Sequence, residues 1–331
     1  MTTTESIRHI AVVGAGYMGG GIAQICAAHG YRVSIADVDA ASASAARDRL
    51  HAEALEFESK DLLPQGSAAA IQANLGAAES MESAVSDADF VIEAVPEIPA
   101  VKLDVLRRIS GANDTAVIGT NTSAISITSL AEGVTNPERF LGVHFMNPVP
   151  FIPCVEIIPH QATRPELVAL SCDLIRAVGK HPSTVSDSPG FVANRLQYAL
   201  YKEAARMLEE NVATASEIDA IVSNSFGFRL SLFGPFAIAD MAGLDVYKDT
   251  FRTLENAYGE RFATPEVLTQ SVAEGNLGIK SGRGILDLDS TAQEDLVAYR
   301  NTAYVQLERM RARLGDSPAL RRSVPAAGGR S

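Results

Sequence analysis

From residue 9 to residue 186, short apolar runs alternate with longer helix-favouring stretches. Residues 9–14, 32–36, 75–77, 90–95, 117–119 and 182–186 read as buried strands, because each is a brief run of mainly apolar or β-branched residues. Between them, residues 20–29, 39–60, 67–73, 96–108 and 165–178 read as helices. Strand and helix in alternation predict an α/β doubly wound sheet. Residues 140–159, FLGVHFMNPVPFIPCVEIIP, break the rhythm. They read as two strands joined by a turn that Pro148, Pro150 and Pro153 keep out of the helical region.

After Ser188-Pro189-Gly190 the period becomes helical throughout. The run FVANRLQYALYKEAARMLEEN carries Phe191, Leu196, Leu200, Met207 and Leu208 at roughly helical spacing. Thr214 and Glu217 have the spacing of a capping box. Thr264-Pro265-Glu266 opens a helix that Gly275 stops, and a long helix is expected from Ser290 to Leu314, ended by Gly315. Leu296, Ala303, Leu307, Met310 and Leu314 form a stripe on it that wants a partner face. The expected organisation is an α/β domain over residues 1–187, an all-helical domain over 188–315 that dimerises, and a frayed tail over 316–331.

The length of 331 residues suits two domains, since single cores stop growing at about 250–300 residues. A net charge of −12 argues against nucleic acid or an anionic membrane as partner, both being polyanions. No apolar run approaches the roughly 20 residues that cross a bilayer, and the start, MTTTESIRH, lacks the pattern of a signal peptide. Cys26, Cys154 and Cys172 have no paired spacing, so neither a disulfide framework nor a metal site is expected. A reduced, cytoplasmic enzyme acting on a small molecule is the expectation.

Two stretches carry chemistry. The first strand leads into Gly14-Ala15-Gly16-Tyr17-Met18-Gly19, a G-x-G-x-x-G turn that opens a helix. Gly14 permits the tight turn, Gly16 lets the backbone approach a pyrophosphate, and Gly19 allows close helix–strand packing. The second strand closes on Asp37, 18 residues past the last glycine, where a carboxylate accepts hydrogen bonds from a ribose. A negative charge there favours NAD over NADP. In residues 140–159, His144 and Glu156 lie 12 residues apart, an offset that suits a hairpin-like return to one end of a sheet. A carboxylate beside an imidazole fixes its tautomer and favours its protonated form, as a base working near neutral pH requires. The polar cluster Thr120-Asn121-Thr122-Ser123 follows a strand, where open α/β sheets place ligands and where a helix cap also fits.

Taken together, GAGYMGGGIA (14–23), EAVPEIPAVK (93–102), NTS (121–123), HFMNPVP (144–150), VEII (155–158), SPGFVANR (188–195) and KSGRG (280–284) resemble the 3-hydroxyacyl-CoA dehydrogenase family from Ile10 to about Leu286. The resemblance implies a Rossmann-type sheet followed by a helical domain, NAD as cofactor, and oxidation of a short-chain L-3-hydroxyacyl-CoA. It implies His144 as base, Glu156 as its partner, and Ser123 and Asn194 as orienters of the substrate oxygen. Glu97, Lys102, Asn121, Asn147 and Lys280 match positions that in the family contact or flank the cofactor. FIPCVEIIPHQATRPE and GFVANRLQYAL also resemble the branch that acts on free 3-hydroxy acids, with the L-gulonate and L-carnitine dehydrogenases and lambda-crystallin. Around residues 48–61, one lysine stands among five acids, Asp48, Glu53, Glu56, Glu58 and Asp61. Local charge of that sign repels a polyanion such as CoA.

Overall fold

The structure, a computed structural model, describes residues 7–320; residues 321–331 of the expected tail lie outside the described residues. The chain divides into two compact units, Met1–Tyr201 and Lys202–Ser331. The first contains β1 (His9–Val13), α1 (Tyr17–Ala28), β2 (Arg32–Ala36), α2 (Ala40–Ser59), α3 (Ser67–Asn74), β3 (Leu75–Ala77), α4 (Met81–Val85), β4 (Phe90–Glu93), α5 (Pro99–Ala112) and β5 (Val117–Thr120). It continues with α6 (Ile127–Ala131), β6 (Phe140–Phe145), β7 (Cys154–Pro159), α7 (Pro165–Ala177) and β8 (His181–Thr184), and the unit boundary falls within α8 (Ala193–Glu209).

The eight strands form one sheet in the order β3-β2-β1-β4-β5-β6-β7-β8. All neighbours pair in parallel except β6 and β7, which are antiparallel. Alternation along the strands builds a core on each face. Ile10, Val12, Phe90 and Ile92 pack with Ile22, Leu50, Ile71 and Leu167 from α1, α2, α3 and α7. Ala11, Val13 and Val91 pack with Met81, Leu106 and Ile127 from α4, α5 and α6. Strands buried on both faces read as continuous apolar runs, which is why they stand out in the sequence.

The second unit is helical: α9 (Ala215–Asn224), α10 (Phe226–Leu230), α11 (Pro235–Ala242), α12 (Leu244–Tyr258), α13 (Glu266–Ala273) and α14 (Ser290–Leu314). The capping box at Thr214 and Glu217 forms as expected. α14 also starts at Ser290 as expected, while the caps of α13 and α14 and the start of α8 are set by other residues. Thr264 does not cap α13; its N–H and hydroxyl donate to Glu255 Oε2 instead. Asp289, one residue before the expected start, caps α14 by accepting from the Ala292 N–H. The helix expected directly after Gly190 begins at Ala193, because Gly190 (φ 76°) and Phe191 (φ 48°) are both left-handed. Among the described residues no helix is long and apolar enough to cross a membrane.

The proline-rich turn between β6 and β7 poses a hydrogen-bond problem. Prolines remove N–H donors, yet the carbonyls of the turn still need partners. Pro148 O accepts from the N–H groups of Phe151 and Ile152, and Pro153 O from that of His181. The carbonyls of Val149, Pro150 and Ile152 converge on the ammonium of buried Lys180, at 2.6, 3.1 and 2.9 Å. Burial pushes the pKa of that ammonium down. Replacing Lys180 with Met leaves three carbonyls without a donor. Urea denaturation is expected to show a loss of about 2–3 kcal/mol, the range for stranded buried acceptors and charged hydrogen bonds. An unchanged midpoint would remove Lys180 from this role.

Candidate active site

The carboxyl ends of β1, β4, β5 and β6 lie along one edge of the sheet, and the site is built there. At the end of β1 the backbone itself makes the cradle. Gly14 adopts φ 101°, and a Cβ on it would sit 2.7 Å from the Ala94 carbonyl carbon. A Cβ on Gly19 would meet Gly14 O at 1.8 Å, whereas nothing lies within 4 Å of one on Gly16. Two of these glycines are therefore required by packing, and the third faces open space. Gly16 also caps α1 without a side-chain acceptor, so first-turn amides remain available to an anion. Asp37 is fixed beside this loop: Oδ2 accepts from Ala15 N at 2.8 Å and Oδ1 from Val38 N at 2.7 Å. Both Asp37 and residues 14–18 line a cavity of about 910 Å³. Its size and donor set fit a dinucleotide.

At the ends of β4 and β5 a buried charge network braces the next loop. Glu93 and Lys102 are almost fully enclosed, with Lys102 Nζ 2.8 Å from Glu93 Oε1. The same ammonium reaches Val95 O at 3.2 Å and Glu97 Oε2 at 3.4 Å, so its three donors all face protein acceptors. Glu93 Oε2 accepts from the Thr120 hydroxyl at 2.6 Å. Glu97 Oε1 accepts from Thr122 Oγ1, Ser123 N and Ala124 N at 2.6, 2.8 and 3.1 Å. Burial raises the pKa of the Glu97 carboxyl. The hydrogen bonds from Thr122 and Ser123, with the Lys102 charge, outweigh that and hold it below the usual carboxylate range. Thr120 belongs to the polar cluster expected after β5, whereas Glu93 leaves only the trace of an acid inside the apolar run FVIEAV.

His144 and Glu156 are direct register partners across β6 and β7. Nδ1 of His144 lies 2.9 Å from Glu156 Oε2, and both side chains are buried. With a carboxylate at Nδ1, the proton sits on Nδ1 and Nε2 is left as the acceptor. Among the described residues no protein group hydrogen-bonds Nε2. The other oxygen, Glu156 Oε1, accepts from Val192 N at 3.0 Å and Ala193 N at 2.9 Å, the free amides at the start of α8. Burial raises the pKa of this carboxyl, but the bonds from His144 and the two amides prevail and hold it low. The ring of Phe191 lies against His144, with centroids 5.7 Å apart.

The remaining predicted residues fall as follows. Asn194 Nδ2 donates to Ser123 O at 3.0 Å, which ties the α8 start to the loop after β5. Asn121 Oδ1 accepts from Phe145 N at 2.8 Å, next to His144. Asn147 is exposed on the proline-rich turn, and Lys280 lies in the second unit, paired with Asp245. Tyr17 is exposed and Met18 half-buried on the wall of the cavity. Among the described residues, no group of His, Cys, Asp and Glu could hold a metal ion.

Comparison with known proteins agrees with this geometry. Residues 9–188 match the model of the 3-hydroxyacyl-CoA dehydrogenase NAD-binding domain, and residues 190–288 match that of the C-terminal domain. A 5-formyl-3-hydroxy-2-methylpyridine 4-carboxylate 5-dehydrogenase of Mesorhizobium japonicum is 36% identical over 92% of this chain and 98% of its own. A probable 3-hydroxybutyryl-CoA dehydrogenase of Bacillus subtilis is 33% identical over 86% of this chain and 98% of its own. The crystal structure of a 3-hydroxyacyl-CoA dehydrogenase from Archaeoglobus fulgidus superimposes with a TM-score of 0.76 at 32% identity, covering 93% of this chain and 99% of the other. With a dinucleotide cradle, an imidazole–carboxylate pair at the same sheet edge and matches along nearly its whole described length, the chain belongs to the 3-hydroxyacyl-CoA dehydrogenase family and is an NAD-dependent oxidoreductase.

Proposed function

We propose that the protein oxidises the hydroxyl of a short-chain L-3-hydroxyacyl-CoA to the ketone, with His144 as general base. The observation that carries this reading is the 2.9 Å contact between His144 Nδ1 and Glu156 Oε2, which leaves Nε2 without a protein partner among the described residues. Bound NAD supplies a hydride acceptor. His144 Nε2 takes the hydroxyl proton, and the charge that develops on the imidazole is balanced by Glu156. Two backbone amides on Glu156 Oε1 keep the carboxylate ionised and in place as that happens. Ser123 orients the substrate oxygen through its hydroxyl. Asn194 Nδ2, which gives one proton to the Ser123 carbonyl, has a second N–H to donate to that substrate oxygen. In the reverse direction His144 returns the proton. Gly14, Gly16, Tyr17, Met18, Gly19 and Asp37 hold the pyrophosphate and ribose, with Asn121 and Asn147 at the reacting end. Lys102 acts indirectly, by holding Glu97 against the Ser123 loop.

A second reading differs only in the substrate's carrier. Every cation on or just after α2 is paired within the same segment: Arg47 with Asp48, Arg49 with Glu53, Lys60 with Glu56. Glu58 and Asp61 remain in excess, so the arm repels the phosphates of CoA. The relative named for a pyridine carboxylate supports the same alternative, a free carboxylate substrate. NADH formation compared among 3-hydroxybutyryl-CoA, 3-hydroxybutyrate, gulonate and carnitine decides. On the first reading the thioester has the highest kcat/KM, and a free acid in the lead hands the assignment to the second.

Replacing His144 with Gln is expected to lower kcat by at least ~10²-fold while calorimetry finds NADH affinity unchanged. A variant of wild-type activity would end the assignment of the base.

We also propose that the protein self-associates. α8 and α9 bury none of their residues and α12 and α14 one each, while Leu196, Leu208, Ile221, Val246 and Leu314 stand at least 47% exposed. Amphipathic helices left this bare want a partner surface. Light scattering is expected to give twice the 35.1 kDa of one chain, and a monomeric mass rejects the proposal.

A further inference from the structure

Besides residues 14–18 and Asp37, the 910 Å³ cavity is lined by the apolar side chains of Val38, Met81, Val101 and Val105. A nucleotide whose pyrophosphate is held by residues 14–18 and whose ribose is held by Asp37 would have these side chains to receive its base. The apolar side chains suit the faces of a purine. Its edge then meets Glu82, in the first turn of α4, and Arg108, near the end of α5. Those two are paired in a particular way. Arg108 Nε and Nη2 both donate to Glu82 Oε1, at 3.0 and 2.8 Å, leaving Oε2 without a side-chain partner among the described residues.

We propose that Glu82, held by Arg108, reads the exocyclic amino group of adenine and so selects an adenine dinucleotide by its base. Adenine presents a two-proton donor at position 6, and a carboxylate is acceptor-only. A hypoxanthine base presents a carbonyl oxygen at the same place, so two acceptors face each other and neither is satisfied. The guanidinium matters because a lone glutamate half exposed to water would rotate away, whereas one fixed through Oε1 keeps Oε2 aimed. Arg108 also holds the carboxyl of Glu82 below its ordinary pKa, so the acceptor is ionised at neutral pH. This recognition is independent of which substrate is oxidised.

The test is direct binding, by calorimetry, of NADH and of reduced nicotinamide hypoxanthine dinucleotide to the full-length protein. The wild type is expected to bind NADH about tenfold more tightly, the worth of one hydrogen bond to a charged group at a half-exposed site. In Glu82→Gln the ratio is expected to fall to about twofold or less, since an amide both accepts from an amino group and donates to a carbonyl. A ratio of two ligands on one variant is insensitive to any loss of folded protein. Equal binding of both nucleotides by the wild type overturns the proposal, and so does a ratio that Glu82→Gln leaves unchanged.

Discussion

The register between β6 and β7 is the constraint on which the site depends. His144 and Glu156 face each other because Phe145 pairs with Val155 and Val143 with Ile157, and a slip by one residue would turn one of the pair to the opposite face. Hairpins take their register from the turn. Here the turn is rich in proline and closes only the bonds to Pro148 O by itself, so the carbonyls of Val149, Pro150 and Ile152 are held from outside by Lys180. That lysine immediately precedes β8, which itself pairs with β7 through Cys154 and His181. The edge of the sheet thus holds the turn, the turn holds the register, and the register makes the acid–base pair.

A second regularity runs along the carboxyl edge of the sheet. Loops leaving parallel strands carry backbone amides that no ladder satisfies, and in this protein carboxylates collect them. Asp37 takes those of residues 15 and 38, Glu97 those of 123 and 124, and Glu156 those of 192 and 193. A carboxylate with two amides on it is kept ionised and aimed. Glu156 does this while also binding an imidazole, which under the proposed mechanism gives it a part in the chemistry as well as in the scaffold. Its two amides belong to the start of a 17-residue helix, whose dipole adds to the same effect.

Much of this was legible in the residues because backbone demands leave strong traces. Buried parallel strands had to be apolar runs, and the sheet followed from them. Gly14 and Gly19 are forced by contacts of 2.7 and 1.8 Å, so the dinucleotide turn is written in the sequence. The 12-residue offset from His144 to Glu156 was enough to anticipate their pairing. What did not show were long-range polar contacts. Lys102 looks like an exposed lysine in the first turns of a helix, and nothing local says that it turns inward to Glu93, nine residues back. Lys180 sits in an ordinary GKHP stretch, and its three acceptors lie about thirty residues away. α8 starts at Ala193, later than its periodicity indicates, for a related reason. Left-handed Phe191 ends the turn that aims two amides at Glu156, a tertiary demand that helical periodicity cannot reveal.

The chemistry and the choice of substrate are held in place by different kinds of force, and this bears on what a sequence of this family can tell. The acid–base pair is embedded in strand register and buried amides, where losing one partner strands the others at a cost of several kcal/mol. The α2 arm is different. Its ion pairs are exposed, and such pairs contribute only about 0–1 kcal/mol each, so its charges can change sign with little effect on the fold. The charge of this arm is therefore free to change without disturbing the His144–Glu156 pair. An acidic arm over an intact His144–Glu156 pair is the expected product of that asymmetry: the reaction type is constrained by what the backbone requires, while the substrate is left to side chains that the fold does not need.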